Sequence, residues 1–157
     1  MAEITLREVR DEDLDGIFEQ MRDPEGVWMA AFTPEDPGDR AHFDAHMARV
    51  RAAPDVTMRA VTRDGALVGH VAAFERDGEL EVTYGVDRDA WGQGVASRAL
   101  ALLLQEVTAR PVHARAASDN LGSLRVLEKA GFRIIGTNRD FARARQAEIE
   151  ETVLRLD

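Results

Sequence analysis

Two Asp-Gly pairs, Asp64-Gly65 and Asp77-Gly78, punctuate three runs of alternating apolar and polar residues, Val56 to Arg63, Ala66 to Glu75 and Glu79 to Val86. No other feature restricts the fold as tightly. Asp and Gly tolerate the left-handed backbone that a two-residue hairpin turn requires, and period-two alternation gives each run one face for a core. An antiparallel meander follows. The pattern then changes period. Gln93 to Thr108 is rich in Ala and Leu, with Leu100, Leu103, Leu104 and Val107 on one stripe, and the spacing predicts a helix that Pro111 closes. Val112 to Ala117 reads as a strand, and Asp119 to Ala130 as a helix with Gly131 in its left-handed C-terminal cap. Arg133 to Arg139 and Glu148 to Leu156 read as two closing strands.

Ahead of the meander, Glu3 to Val9 alternates as a half-buried strand, with Ile4 and Leu6 set against Thr5 and Arg7. Asp11-Glu12-Asp13 supplies N-cap chemistry, and Leu14, Ile17, Phe18 and Met21 recur at helical spacing until Asp23-Pro24. Pro24 to Asp39 is broken by prolines and glycines around Val27 to Phe32 and reads as a mobile or ligand-facing loop. Arg40 to Arg51 is a second helix, with Phe43, Met47 and Val50 on one side. The sum is a single α/β domain over residues 1–157, a twisted mixed sheet of about six to seven strands flanked by about four helices. Strand-helix-strand crossovers in the second half call for parallel neighbours there.

The chain has 157 residues, no cysteine and 31% charged residues, so thiolate metal sites, disulfides and cysteine nucleophiles are excluded. Its longest apolar runs are far short of a membrane span, and the start MAEITLREVR carries acids and no apolar leader, which makes a cytoplasmic location the expectation. A net charge of minus 9 argues at first against a phosphate-rich ligand. By segment it says something else. Residues 1–85 hold 9 basic and 19 acidic side chains, minus 10, whereas residues 86–145 hold 10 and 6, plus 4, and residues 146–157 hold 1 and 4, minus 3. The positive stretch marks where an anion can sit.

That stretch opens with Val86 to Ser97, which runs from a strand end through Trp91-Gly92-Gln93-Gly94-Val95-Ala96 into a helix. Glycines let the backbone approach a ligand, and the free N–H groups of a first helical turn favour anions. The same turn can equally serve only to tighten packing. It is not a Walker A loop, since no Lys follows the second glycine, and Ser97 ends any match to G-x-G-x-x-G.

With Trp91 in the place of the usual Arg or Gln, Trp91 to Ala96 resembles the acetyl-CoA loop of the GCN5-related N-acetyltransferases, Arg/Gln-x-x-Gly-x-Gly/Ala. Asn120 to Ser123, followed by Glu128-Lys129-Ala130-Gly131-Phe132, is similar to the family's second block. Both blocks resemble most the branch of the ribosomal-protein N-terminal acetyltransferases. The resemblance implies an acetyl-CoA-dependent N-acetyltransferase that moves acetyl directly to a primary amine. It implies backbone N–H groups near Val86 on the thioester carbonyl, the amides of Gln93, Gly94, Val95, Ala96 and Ser97 on the pyrophosphate, and Asn120 on the pantetheine arm. On residue type alone, Asn120 reads first as a helix cap beside Asp119.

By the same resemblance Glu81 is the general base, with a solvated strand carboxylate as the competing reading, and Ser123 takes over as general acid or as hydrogen-bond donor to sulfur. Where many relatives carry an acidic Tyr seven residues after the Asn, this chain has Leu127. Trp28, Phe32, Glu81 and Tyr84 are the acceptor-binding candidates, with a core plug as the competing reading for Trp28, Met29 and Phe32. His42 and His46 stand one helical turn apart without an evident third ligand and read as a surface pair, so no metal is expected. His70 and His113 read as packing or hydrogen-bonding strand histidines. Nucleic acid lacks its interleaved aromatic and basic residues. The acceptor is expected to be a cationic small molecule or a protein N-terminus, and the chain a monomer or a homodimer. Two alternatives stay open: a non-catalytic acyl-CoA-binding regulatory module, and a nucleotide-binding domain using the loop for ADP.

Overall fold

The computed structural model describes residues 3–34 and 36–157. Met1 and Ala2, part of the start read for a leader, and Glu35, within the expected loop, lie outside the described residues. The strands are β1 (Ile4–Glu8), β2 (Thr57–Arg63), β3 (Ala66–Arg76), β4 (Glu79–Val86), β5 (Val112–Ala117), β6 (Arg133–Ala142) and β7 (Ala147–Leu156). The helices are α1 (Leu14–Arg22), α2 (Pro24–Ala30), α3 (Arg40–Ala52), α4 (Val95–Glu106) and α5 (Leu121–Lys129). All seven strands form one mixed sheet in the order β1-β2-β3-β4-β5-β7-β6.

The meander forms as the sequence predicts, because each Asp-Gly turn adopts two consecutive positive φ values: 51° and 87° at Asp64 and Gly65, 53° and 80° at Asp77 and Gly78. Gly131 takes φ 101° at the end of α5. The crossovers behave differently from one another. β4 and β5, joined through α4, are parallel neighbours. β5 and β6, joined through α5, run the same way but are not adjacent, because β7 inserts between them and pairs antiparallel with both. A final antiparallel strand can satisfy two edges at once, and the crossover rule fixes direction but not adjacency.

The segment Pro24–Asp39, expected as a loop, begins with a fifth helix, α2. Pro24 occupies the first turn, where its missing N–H costs nothing, and the Asp23 carboxylate accepts from Gly26 N–H at 3.0 Å. Two C-terminal carbonyls that a short helix leaves unpaired are met from elsewhere: Trp28 O by Arg145 Nε at 2.7 Å and Met29 O by Asn120 Nδ2 at 3.3 Å.

The main core lies on one side of the sheet, where Val95, Ala99, Leu100 and Leu103 of α4 and Leu127 of α5 cover Val61, Val71, Val82, Val112 and Leu154. On the other side, Ile17 and Phe18 of α1 pack with Phe43 and Met47 of α3. Among the described residues no helix is long and apolar enough to cross a membrane.

Candidate functional site

β4 and β5 bridge at one pair only, Glu81 with His113. Beyond it the strands part, so from Val82 to Val86 the edge of β4 facing β5 has no ladder partner. α4 starts after the carboxyl end of β4 and α5 after that of β5, so both helix N-termini stand at the mouth of this gap. Parallel strand pairs place their ligands at this end.

The loop into α4 is shaped for an anion. Gly92 and Gly94 have φ values of 74° and 79°, and a Cβ built on either meets nothing within 4 Å. Gly94 is the N-cap of α4, where no side chain caps the helix, and the amides of Val95, Ala96 and Ser97 are left for a ligand. Gln93 is pinned from both ends, its Nε2 donating to Asp89 O at 2.9 Å and its Oε1 accepting from Arg63. Trp91, which stands in the first motif position, folds back so that its indole N–H donates to Val86 O at 2.9 Å. That bond ties the loop to the end of β4, a task the sequence did not disclose because an exposed tryptophan carries no local signature of its partner.

Period two divides the side chains of β4 between the two sides of the sheet. Leu80, Val82, Tyr84 and Val86 pack on the α4 and α5 side. Tyr84, expected to touch the acceptor, is thereby turned away from Glu81: its hydroxyl lies 2.7 Å from Ser123 Oγ on α5. Burial pushes the Tyr84 hydroxyl up to about 12, so it stays protonated. Ser123 N–H donates to Asn120 Oδ1 at 3.2 Å, which makes Asn120 the N-cap of α5 while its Nδ2 serves Met29 O. One N–H of that amide is still free to reach a ligand. Leu127 is buried at 1% exposure in the core under α5.

On the opposite side stand Glu81, Thr83 and Gly85. Glu81 is buried, its oxygens held by Arg115 Nε at 3.2 Å and Arg76 at 3.4 Å, and Arg115 also reaches Glu151 at 3.4 Å. Thr83, midway along a central strand, is exposed, so this side of β4 is uncovered there. Trp28 is 53% exposed, and Arg145 stacks on it at 4.5 Å while pairing with Asp119, whose carboxyl that guanidinium holds below the usual range. Phe32 packs with Ala31, Ala117, Ala142 and Ile149 in a small satellite core. The loop amides, Asn120, Ser123 and Tyr84 thus lie on the α4 and α5 side of the gap, whereas Glu81 lies on the other side, at the bridged pair where the strands are still joined, and Trp28 and Phe32 lie on or beside α2. His42 and His46 are exposed, and among the described residues no group of three or more His, Asp or Glu side chains is placed to hold a metal ion.

A mixed sheet parted between β4 and β5, with an uncapped helix N-terminus at the opening, places the chain in the class of split-sheet α/β proteins whose opening is suited to an anionic ligand. The family model "Acetyltransferase (GNAT) domain" matches residues 3–133, and the chain belongs to that family. No curated protein matches the chain. Solved structures similar to it include a phosphinothricin acetyltransferase of the GNAT superfamily from Sinorhizobium meliloti, in complex with AcCoA (19% identity, TM-score 0.83, covering 98% of this chain and 87% of that one). Another is spermidine N-acetyltransferase from Vibrio cholerae in complex with CoA and spermine (15%, TM-score 0.82, 98% and 94%). A third is Mycobacterium smegmatis RimJ in complex with CoA-disulfide (20%, TM-score 0.78, 98% and 81%). At these identities the likenesses establish the fold and leave the branch within the family to the acceptor chemistry.

Proposed function

We propose that this chain is an acetyl-CoA-dependent N-acetyltransferase that moves acetyl directly to a primary amine in a ternary complex. The observation that carries the reading is the uncapped, glycine-opened N-terminus of α4 at the gap between β4 and β5. When bound, acetyl-CoA supplies an activated thioester carbonyl. The amides of Gln93 to Ser97 bind the pyrophosphate, and the free N–H of Asn120 bonds the pantetheine arm. The unladdered β4 backbone near Val86 offers N–H groups to the carbonyl oxygen, where developing charge is stabilised most. The Ser123 hydroxyl donates a hydrogen bond to the departing thiolate sulfur while accepting one from Tyr84, whose own proton is held too tightly to leave, and the thiolate takes its proton from water. Glu81 lies on the acceptor side and takes up the ammonium proton through water. With no cysteine in the chain, no thiolate is present to carry acetyl between donor and acceptor.

The acceptor is a cation. Residues 1–85, which hold the acceptor side of β4, are strongly acidic, and the likeness to a spermidine N-acetyltransferase supports a polyamine, with a protein N-terminus as the alternative cation that the motif resemblance implies. The test is thermal unfolding with and without acetyl-CoA. A ligand at a hundred times its Kd stabilises by about 2.7 kcal/mol, several degrees in Tm. Gly94→Val, which forces a β-branched residue to φ 79°, abolishes the shift. No shift in the wild type at saturating acetyl-CoA sinks the reading.

One observation favours a second reading, a non-catalytic acyl-CoA-binding module: Leu127 stands where a proton-donating Tyr is common, and Glu81 is already paired with two arginines. Thiol release against a panel of amines separates the two. A transferase releases CoA with at least one amine, and Glu81→Gln slows that release without weakening acetyl-CoA binding.

A further inference from the structure

His70 on β3 pairs across the ladder with Gly85, next to the end of β4. A Cβ at Gly85 would sit 2.5 Å from His70 Cε1 and 2.9 Å from Nε2, so the imidazole lies against the β4 backbone where only glycine admits it. His70 Nδ1 is 2.7 Å from Gln20 Oε1 on α1. Gln20 Nε2 is buried without a hydrogen-bond partner among the described residues. It is the amide oxygen that faces His70. An amide oxygen only accepts, so Nδ1 carries the hydrogen and Nε2 keeps a lone pair beside Gly85. Burial holds the ring neutral, with its pKa lowered to about 4, so it does not repel a cation.

Glu81 is four residues upstream on the same strand face, about 13 Å away, and is engaged by Arg76 and Arg115. At the level of Gly85, the His70 Nε2 atom has no hydrogen-bond partner among the described residues.

We propose that His70 Nε2 accepts a hydrogen bond from the attacking amine of the acceptor and positions it beside the end of β4. The role rests on the amine-acetylation reading and moves no proton: the imidazole orients the nitrogen, and water with Glu81 receives the charge. Methylammonium is the probe, because the smallest primary amine enters whatever the natural acceptor is. In the full chain with 15N-labelled histidine, His70 at neutral pH shows the Nδ1–H tautomer, and methylammonium chloride moves its Nε2 resonance whereas tetramethylammonium chloride, which has no N–H, does not. An Nε2–H tautomer, no response to methylammonium, or equal responses to both salts overturns the proposal. In turnover, His70→Leu raises the amine KM about tenfold and His70→Gln, which keeps an acceptor atom, restores most of it. Both variants keep the acetyl-CoA-dependent Tm shift. Equal KM effects in the two variants count against the hydrogen bond, and if His70→Leu does not fold, the wild-type resonances decide. Absence of thiol release with every amine removes the transferase reading but leaves the methylammonium response intact, so the two failures are distinct.

Discussion

The two faces of β4 are held by different forces. On the α4 and α5 side, Leu80, Val82, Tyr84 and Val86 join a continuous apolar core, and its cohesion comes from area removed from water. On the α1 side, Glu81 is fixed by two guanidiniums, Gly85 is roofed by an imidazole, and Thr83 stays exposed. Apolar burial is indifferent to pH and sets the helix N-termini rigidly at the gap. The polar side depends on which groups carry protons and is uncovered at Thr83, the side on which the proposed acceptor enters. One strand therefore separates support from chemistry by residue parity alone.

The largest expected effect lies on the supporting face. Leu127 is 1% exposed under α5, and Leu127→Ala lowers unfolding stability by about 3 kcal/mol in urea, with the slope unchanged. A loss well under 1 kcal/mol would show that α5 is held from outside the apolar core. Nearly as large is the pH response of the other face. His70 titrates at 6.5 unfolded and about 4 folded, so between those values the unfolded chain binds the extra proton. Stability is complete above pH 6.5 and falls as pH drops toward 4, by about 3 kcal/mol in all. His70→Gln removes that slope. The wild-type minus variant difference isolates it from Asp87, whose raised carboxyl acts with the opposite sign, and from Asp13, whose carboxyl is held low by Arg7 and loses its contribution only as pH falls below the usual carboxylate range. Parallel curves for the two proteins would place the imidazole in water.

The supporting face is the one that sequence reasoning reads well. Apolar stripes at 100, 103 and 104 and the alternation at 80, 82 and 86 each lie within one element, and the Asp-Gly turns carry their own backbone geometry. The loop glycines 92 and 94 are legible for the same reason. What escapes is whatever depends on a distant partner. Pro24 and Gly26 look like helix breakers until Arg145 and Asn120, 117 and 91 positions away, take the carbonyls of α2. Tyr84 meets Ser123 across 39 positions and His70 meets Gln20 across 50, and no local pattern encodes either meeting. Glu81 is visible as a strand carboxylate, but its arginines belong to other strand segments.

A smaller effect tests how the faces are joined. Gly85→Ala places a methyl group 2.5 Å from the His70 ring, and overpacking of this kind costs about 2 kcal/mol. Combining it with His70→Ala returns much of that loss, because the clash has no partner left, and the coupling is read from a double-mutant cycle. Additive losses would mean that the ring can swing clear.

The smallest expected change is the one that asks most directly whether the polar face is open. Thr83 is exposed in the middle of a central strand, where a side chain facing a packed helix would be buried. Thr83→Val keeps the branched shape that suits a strand and removes only the hydroxyl. On an uncovered face the hydroxyl is hydrated before and after unfolding, so stability moves by less than about 0.5 kcal/mol. A bound amine still encounters that position, and its KM shifts by up to about fivefold, the worth of one ordinary hydrogen bond, while acetyl-CoA binding across the sheet is untouched. A loss of more than about 1 kcal/mol would instead mean that Thr83 is covered in the native protein, since only a buried hydroxyl with a partner is missed that much. The acceptor would then have to reach the gap by a route other than this face of β4.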